Sequence, residues 1–165
     1  MMRFLLIFSA FIVLQGCYSL KGITLPVEAK TFTVLDIENK ANQVVPGLAE
    51  DFAERLRNKI RNNTRLTYVN NEEADIVFSG SLQDYKVQSK APQANQQSAL
   101  NQLNLTVNIT YSYEKDDQIG WSRNFTQQEE FNADQNLLDI QESLNEALSK
   151  QLIEDIFNAA FAEKW

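Results

Sequence analysis

Histidine is absent from this sequence, cysteine occurs once, and glycine and proline are sparse, at five and three residues among 165. Without imidazole, the commonest general base and the commonest transition-metal ligand are both missing. A single thiol cannot close a disulfide within the chain, so it is a buried thiol, a reactive thiol or a point of covalent attachment. Glycines this few and scattered build no phosphate-cradling loop. Basic side chains are outnumbered, 15 Lys plus Arg against 22 Asp plus Glu, and the net charge of -7 argues against a nucleic-acid backbone as partner. What the chain does have is a 44% hydrophobic share, enough for one core in a single domain of this length.

The N-terminus resolves the role of the cysteine. Met1-Met2-Arg3 is a short positive region, Phe4 to Leu14 an apolar run, and Gln15-Gly16-Cys17 a junction with a small residue before cysteine. That is the order of an export signal. The run is about half the ~20 residues that span a bilayer core, so a permanent transmembrane helix is not expected. Leu14-Gln15-Gly16-Cys17 resembles a bacterial lipobox, with Gln15 where a small residue is more usual. The expectation is a signal peptide over 1–16, lipid on Cys17, a lipidated tether over 17–29 and one domain over 30–165. Acyl chains contribute about 0.8 kcal/mol per buried methylene, so two or three on one residue hold a domain at a membrane.

Along the mature chain, Lys30 to Ile37 is rich in β-branched and aromatic residues and reads as a strand, with Phe32, Val34 and Asp36 on one side and Thr31, Thr33, Leu35 and Ile37 on the other. From Val45-Pro46-Gly47 the period changes. Leu48, Phe52, Leu56 and Ile60 recur at four-residue steps, acids lead and bases follow, and the Asn62-Asn63 pair ends an amphipathic helix. Leu66 to Val69 reads as a short strand. Three longer strands follow. In the first, Ile76, Phe78 and Leu82 share a parity that Tyr85 and Val87 do not, so a bulge is expected between Gly80 and Asp84. In the second, Leu103, Leu105, Val107, Ile109, Tyr111 and Tyr113 alternate with Asn104, Thr106, Asn108, Thr110 and Ser112. In the third, Trp121, Phe125 and Phe131 alternate with Ser122, Asn124, Thr126, Gln128 and Glu130. The polar, Gln-rich segment 89–98 reads as a protruding hairpin loop. A long helix starting near Asp134 to Asn136 closes the chain, with Ile140, Leu144, Leu148, Leu152, Ile156 and Ala160 at four-residue spacing.

The expected fold class is therefore α+β: a two-layer sandwich with a mainly antiparallel four-stranded sheet and two helices packed on one face. The order is β-α-β-β-β-β-α, with the first or second strand short. The opposite sheet face is lined by amides and hydroxyls, and reads equally well as a solvated face or as a surface that meets a partner.

No constellation for catalysis or metal binding is visible. Glu72-Glu73 and Asp116-Asp117 sit in expected turns, where charges are solvated, and Glu129-Glu130 has no base beside it. Asn62, Asn104, Asn108 and Asn124 each satisfy Asn-x-Thr, three of them because a strand face of alternating Asn and Thr generates the pattern by itself. Lys86, Lys90 and Arg123 are basic residues on the strands that carry the polar face; each is either an ordinary surface charge or a contact for an anionic lipid headgroup. No cofactor is expected.

Several segments taken together resemble one family. Cys17-Tyr18-Ser19-Leu20-Lys21-Gly22-Ile23, then Lys30-Thr31-Phe32-Thr33-Val34, the helix from Pro46 to Ile60, Thr64-Arg65-Leu66, and Leu100 to Val107 stand in the order seen in the LptE family of lipopolysaccharide-assembly lipoproteins, in the form found in Bacteroidetes-like bacteria. The resemblance covers nearly the whole mature chain. It implies a non-enzymatic lipoprotein on the periplasmic side of the outer membrane, plugging an LptD-type β-barrel translocon and assisting its assembly. It also implies contact with lipopolysaccharide through basic residues, for which Lys86, Lys90 and Arg123 are the candidates. Tyr18 differs from the Asp that often retains lipoproteins at the inner membrane. A different class of function is a free-standing periplasmic lipoprotein that carries a lipid or glycan on its sheet face.

Overall fold

A computed structural model describes residues 25–26, 28–90, 99–116 and 118–162. The expected signal segment, Cys17, most of the tether and residues 91–98 of the expected loop lie outside these. The described elements are β1 (Thr31–Asn39), α1 (Leu48–Asn63), β2 (Thr67–Tyr68), β3 (Ile76–Lys90), β4 (Leu100–Tyr113), β5 (Trp121–Asn132) and α2 (Leu137–Phe161).

The sheet corrects the expectation of four mainly antiparallel strands: it has five, ordered β2-β1-β3-β4-β5, and is mixed. β1 runs parallel to both β2 and β3, while β3, β4 and β5 form an antiparallel meander. The cause is the connection. A chain that leaves β1 through α1 crosses over the sheet and re-enters in the same direction at β2, and residues 69–75 return past β1 to start β3 in that direction too, whereas the connections after β3 reverse it. Though only two residues long, β2 is held in the sheet by Thr67 N–H to Lys30 O at 2.8 Å and Val69 N–H to Phe32 O at 3.0 Å. The Tyr68 ring meets Phe32 edge-on, with centroids 5.7 Å apart.

Two register shifts set which side chains face inward. Between Leu82 and Asp84 the β3–β4 ladder slips, within the stretch where a bulge is expected, so Tyr85 is buried like Phe78 and Leu82 before it. β1 slips against β3 between Val34 and Ile37. That slip corrects the expected parity: Ile37 joins Phe32 and Val34 in the core, and Asp36 is exposed.

α1 begins at Leu48, after Gly47 takes a left-handed φ of 78°, a conformation glycine adopts without strain. It runs through Asn63, and Thr64 closes it by donating both its N–H and its hydroxyl to Ile60 O, at 3.0 and 2.9 Å. α2 is capped by Asn136, whose side chain accepts from Leu138 N–H at 3.2 Å. Leu48, Phe52, Leu56 and Ile60 of α1 and Leu148, Leu152, Ile156 and Phe161 of α2 pack on the apolar side of the sheet, where Phe78, Leu105, Val107, Ile109 and Tyr111 are fully buried. Burial pushes the Tyr111 phenol up to about 12. Between the helices, the Lys59 ammonium reaches the Glu154 carboxylate and lies 5.1 Å from the Phe157 ring centre.

At one end of the sheet, Asp75 locks β1 to β3. Its carboxylate accepts from Lys30 N–H at 2.8 Å, Thr31 N–H at 2.9 Å and the Thr31 hydroxyl at 3.0 Å, and that hydroxyl accepts from Asp75 N–H at 2.9 Å. These hydrogen bonds, with the nearby Lys115 charge, hold the Asp75 carboxyl below the ordinary carboxylate range. Lys30, just before β1, lies at this end. The opposite end carries the far ends of β3 and β5 and the start of α2.

Candidate functional site

The side of the sheet away from the helices is a field of amides and hydroxyls on β3, β4 and β5, and no described element covers it. Alternation places Ser79, Ser81, Asp84, Lys86 and Gln88 of β3 on this side beside the even-numbered residues of β4, which in turn pair with the even-numbered residues of β5. Pairs directly opposite on β4 and β5 bond to each other: Thr106 with Thr126 at 2.9 Å, Asn108 Nδ2 to Asn124 Oδ1 at 2.7 Å, and Thr110 Oγ1 to Ser122 Oγ at 3.0 Å. Further along, Gln102 Nε2 donates to Gln128 Oε1 at 2.6 Å and to Asn104 Oδ1 at 2.7 Å. Asn104 is only 8% exposed and Ser81 5%, so the rows nearest the centre are close-packed although polar.

Cross-strand pairs of this kind contribute roughly 0.2–1 kcal/mol each. Their larger effect is geometric. Each amide is held in one orientation by its neighbour, leaving a pre-ordered surface with donor and acceptor capacity to spare, since an amide group offers up to four hydrogen-bonding positions. Such a surface suits a polar wall or a hydrated ligand and has nothing to offer an apolar one.

The basic candidates do not converge. Lys86 lies on the open face and pairs with Asp84 at 2.7 Å. Lys90 lies on the same face nearer the hairpin end, and its ammonium is held by the Glu130 carboxylate. Arg123 shares the parity of Trp121 and Phe125, which places it on the helix side of β5, with its guanidinium 5.3 Å from the Trp121 ring centre. Of the acidic residues, Asp116 Oδ1 accepts from Gln118 N–H at 3.0 Å, Glu129 accepts from Gln151 Nε2 at 2.5 Å and Glu130 holds Lys90, while Glu72 and Glu73 are exposed in the turn before β3. Among the described residues no group of three carboxylate or thiol side chains is placed to hold a metal ion, and no described helix is long and apolar enough to cross a membrane.

Two polar contacts on the helix side had no clear signal in the sequence. Gln127 and Glu129 share the parity of Phe125 and Phe131, and they are matched from above by α2, Gln127 Nε2 to Asp155 Oδ2 at 2.6 Å and Gln151 Nε2 to Glu129 Oε1. The i,i+4 spacing of Gln151 and Asp155 on one helix flank, set against i,i+2 spacing on a strand, is the pattern that would have shown them.

Fold and face together define a class: a small α+β domain with two helices on one side of a mixed five-stranded sheet and an ordered polar face on the other. The family model for LptE, described as lipopolysaccharide-assembly, matches residues 29–160, and the chain belongs to that family, a non-enzymatic group of cell-envelope lipoproteins. No curated protein matches the chain. Among solved structures, protein XCC0632 of Xanthomonas campestris superposes with a TM-score of 0.55 at 12% identity, covering 80% of this chain and 83% of that one. The PelC dodecamer of Paraburkholderia phytofirmans gives 0.54 at 12% identity over 87% and 95%. A minor lipoprotein of Acinetobacter baumannii is 18% identical over 85% and 99%, at a TM-score of 0.49. At 12% identity the first two likenesses are likenesses of fold alone.

Proposed function

We propose that this chain is a lipid-anchored, periplasm-facing component of the outer membrane that docks into an LptD-type β-barrel through its open polar face and supports the assembly of that translocon. The observation that carries the reading is the uncovered Asn/Thr/Gln/Ser ladder. A large barrel lumen is polar, so a wall of pre-oriented amides and hydroxyls meets it without stranding unpaired groups. Membership of a lipopolysaccharide-assembly family supports the same direction. Attachment through acylated Cys17 and a tether to residue 29 supplies the membrane location. The pairing of Lys86 with Asp84 and of Lys90 with Glu130 favours the barrel over the lipid as the first contact, because an anionic headgroup would have to displace a carboxylate at each lysine.

Purification of the full-length lipoprotein from the native envelope tests this. Recovery of a barrel at one-to-one stoichiometry, and loss of surface lipopolysaccharide on depletion of the chain, are the expected results. A lipoprotein recovered alone with bound lipid or glycan, from cells whose barrel assembles normally when the chain is depleted, would replace this reading with that of a free-standing carrier.

A further inference from the structure

The two edges of the sheet are treated differently. β2 ends one side after two residues, too short to template another strand. β5 ends the other side with twelve residues, and no described strand pairs with its outer edge. It has no proline, lysine or register shift between Trp121 and Asn132, and its charges are Arg123 and Glu129 on the helix side and Glu130 on the open side. The direction of its outward groups follows from the ladder. Ala133 N–H bonds Ala99 O at 3.0 Å, so odd-numbered residues of β5 turn their amides to β4, and Ser122, Asn124, Thr126, Gln128 and Glu130 present N–H and C=O outward. Consistently, Asn132 N–H turns away from β4 to Gln135 Oε1 at 3.1 Å.

That edge is complementary to itself. If two β5 strands pair antiparallel about Thr126, Trp121 comes opposite Phe131 and Arg123 opposite Glu129 on the helix side, while Asn124 meets Gln128 and Thr126 meets Thr126 on the open side. Four of the six pairings thus join like with like or plus with minus, while the other two set Ser122 against Glu130 on the open side and Phe125 against Gln127 on the helix side. The seam also has apolar surface to cover. Trp121, Phe125, Leu137, Ile140 and Leu144 are only partly buried. Leu137 and Leu144 stand at seven-residue steps from Gln151, so they occupy the flank of α2 that reaches down to β5.

We propose that the β5 edge is a homodimerisation surface, on which a second copy of this chain pairs antiparallel with Thr126 at the two-fold axis to form one continuous ten-stranded sheet. The axis is normal to the sheet, so both copies present the same face in the same direction. The proposal stands apart from the barrel reading, since the dimer forms without any other protein.

Full-length chain purified in detergent without the barrel provides the test. Thr126→Cys places two thiols across a hydrogen-bonded antiparallel pair at a Cα separation of about 5.5 Å, within disulfide reach. A reducible dimer is expected for Thr126→Cys and absent from the unsubstituted chain. Sedimentation of the unsubstituted chain is expected to show a concentration-dependent dimer, which Arg123→Glu weakens about tenfold and which Arg123→Glu with Glu129→Arg returns to near its original strength. A monomer at all concentrations, or a dimer indifferent to both charge changes, overturns the proposal. Either result leaves barrel recovery as a separate measurement.

Discussion

The two faces of this sheet are built from the same strands and held by opposite physics. On the helix side, Leu103, Leu105, Val107, Ile109 and Tyr111 of β4 are fully buried beneath two helices, and each buried aliphatic side chain contributes roughly 1.5–3 kcal/mol. On the open side, Gln102, Asn104, Thr106, Asn108 and Thr110 alternate with them along the same strand, tied to their neighbours by bonds worth a fraction of that. The difference separates stability from function. The fold depends on the first face, so the second is available for recognition, and substitutions on the two faces should fail in different assays.

The sharpest contrast comes from truncating one residue of the core face. Leu105→Ala removes a fully buried side chain and is expected to cost about 2–5 kcal/mol, read as a large drop in the midpoint of chemical denaturation. Gly80→Ala comes next. A Cβ at Gly80 would fall inside contact distance of the Asn108 backbone carbonyl, so β3 or β4 must shift, at about 1–3 kcal/mol. A variant as stable as the original would show that the β3–β4 pairing has slack that its geometry denies.

Asp75→Ala strands the Lys30 and Thr31 amides at the end of the sheet and is expected to cost about 1–3 kcal/mol at neutral pH. The effect carries a pH signature. Because the folded carboxyl titrates below its ordinary value of 3.8, its stabilisation is complete above that value and is lost as pH falls through the lower folded value. Urea denaturation at pH 7 and near pH 3 should therefore show the gap between original and variant narrowing in acid. A constant gap would assign the loss to packing instead. The smallest effect belongs to the open face: Thr106→Val with Thr126→Val deletes one cross-strand bond and is expected to change stability by less than about 1 kcal/mol. A larger loss would mean that the ladder supports the fold as well as a partner.

Much of this contrast is legible in the sequence. Strict alternation from Leu103 to Tyr113 shows two chemically distinct faces, four-residue spacing gives both helices, and the change of parity between Leu82 and Tyr85 marks the bulge. The parallel placement of β1 is not legible, because a strand's direction depends on its connection rather than its composition. Nor is the slip that turns Ile37 inward: plain alternation puts Asp36 with Phe32 and Val34 and Ile37 opposite them, and only the register against β3 reverses that. The basic candidates show the same limit. Lys86, Lys90 and Arg123 group by charge in the sequence, yet the parity of Arg123 with Trp121 and Phe125 already places it on the other face. The carboxylate partners of the two lysines appear only once strands are paired.

Asn108 lies in the middle of the open ladder, away from both sheet edges, and its replacement tests whether that face is received by a barrel. With Asn108→Arg in the full-length lipoprotein, the account predicts an unchanged denaturation midpoint together with loss of the LptD-type barrel from the purified complex. A barrel retained at one-to-one stoichiometry by a folded Asn108→Arg chain would contradict it.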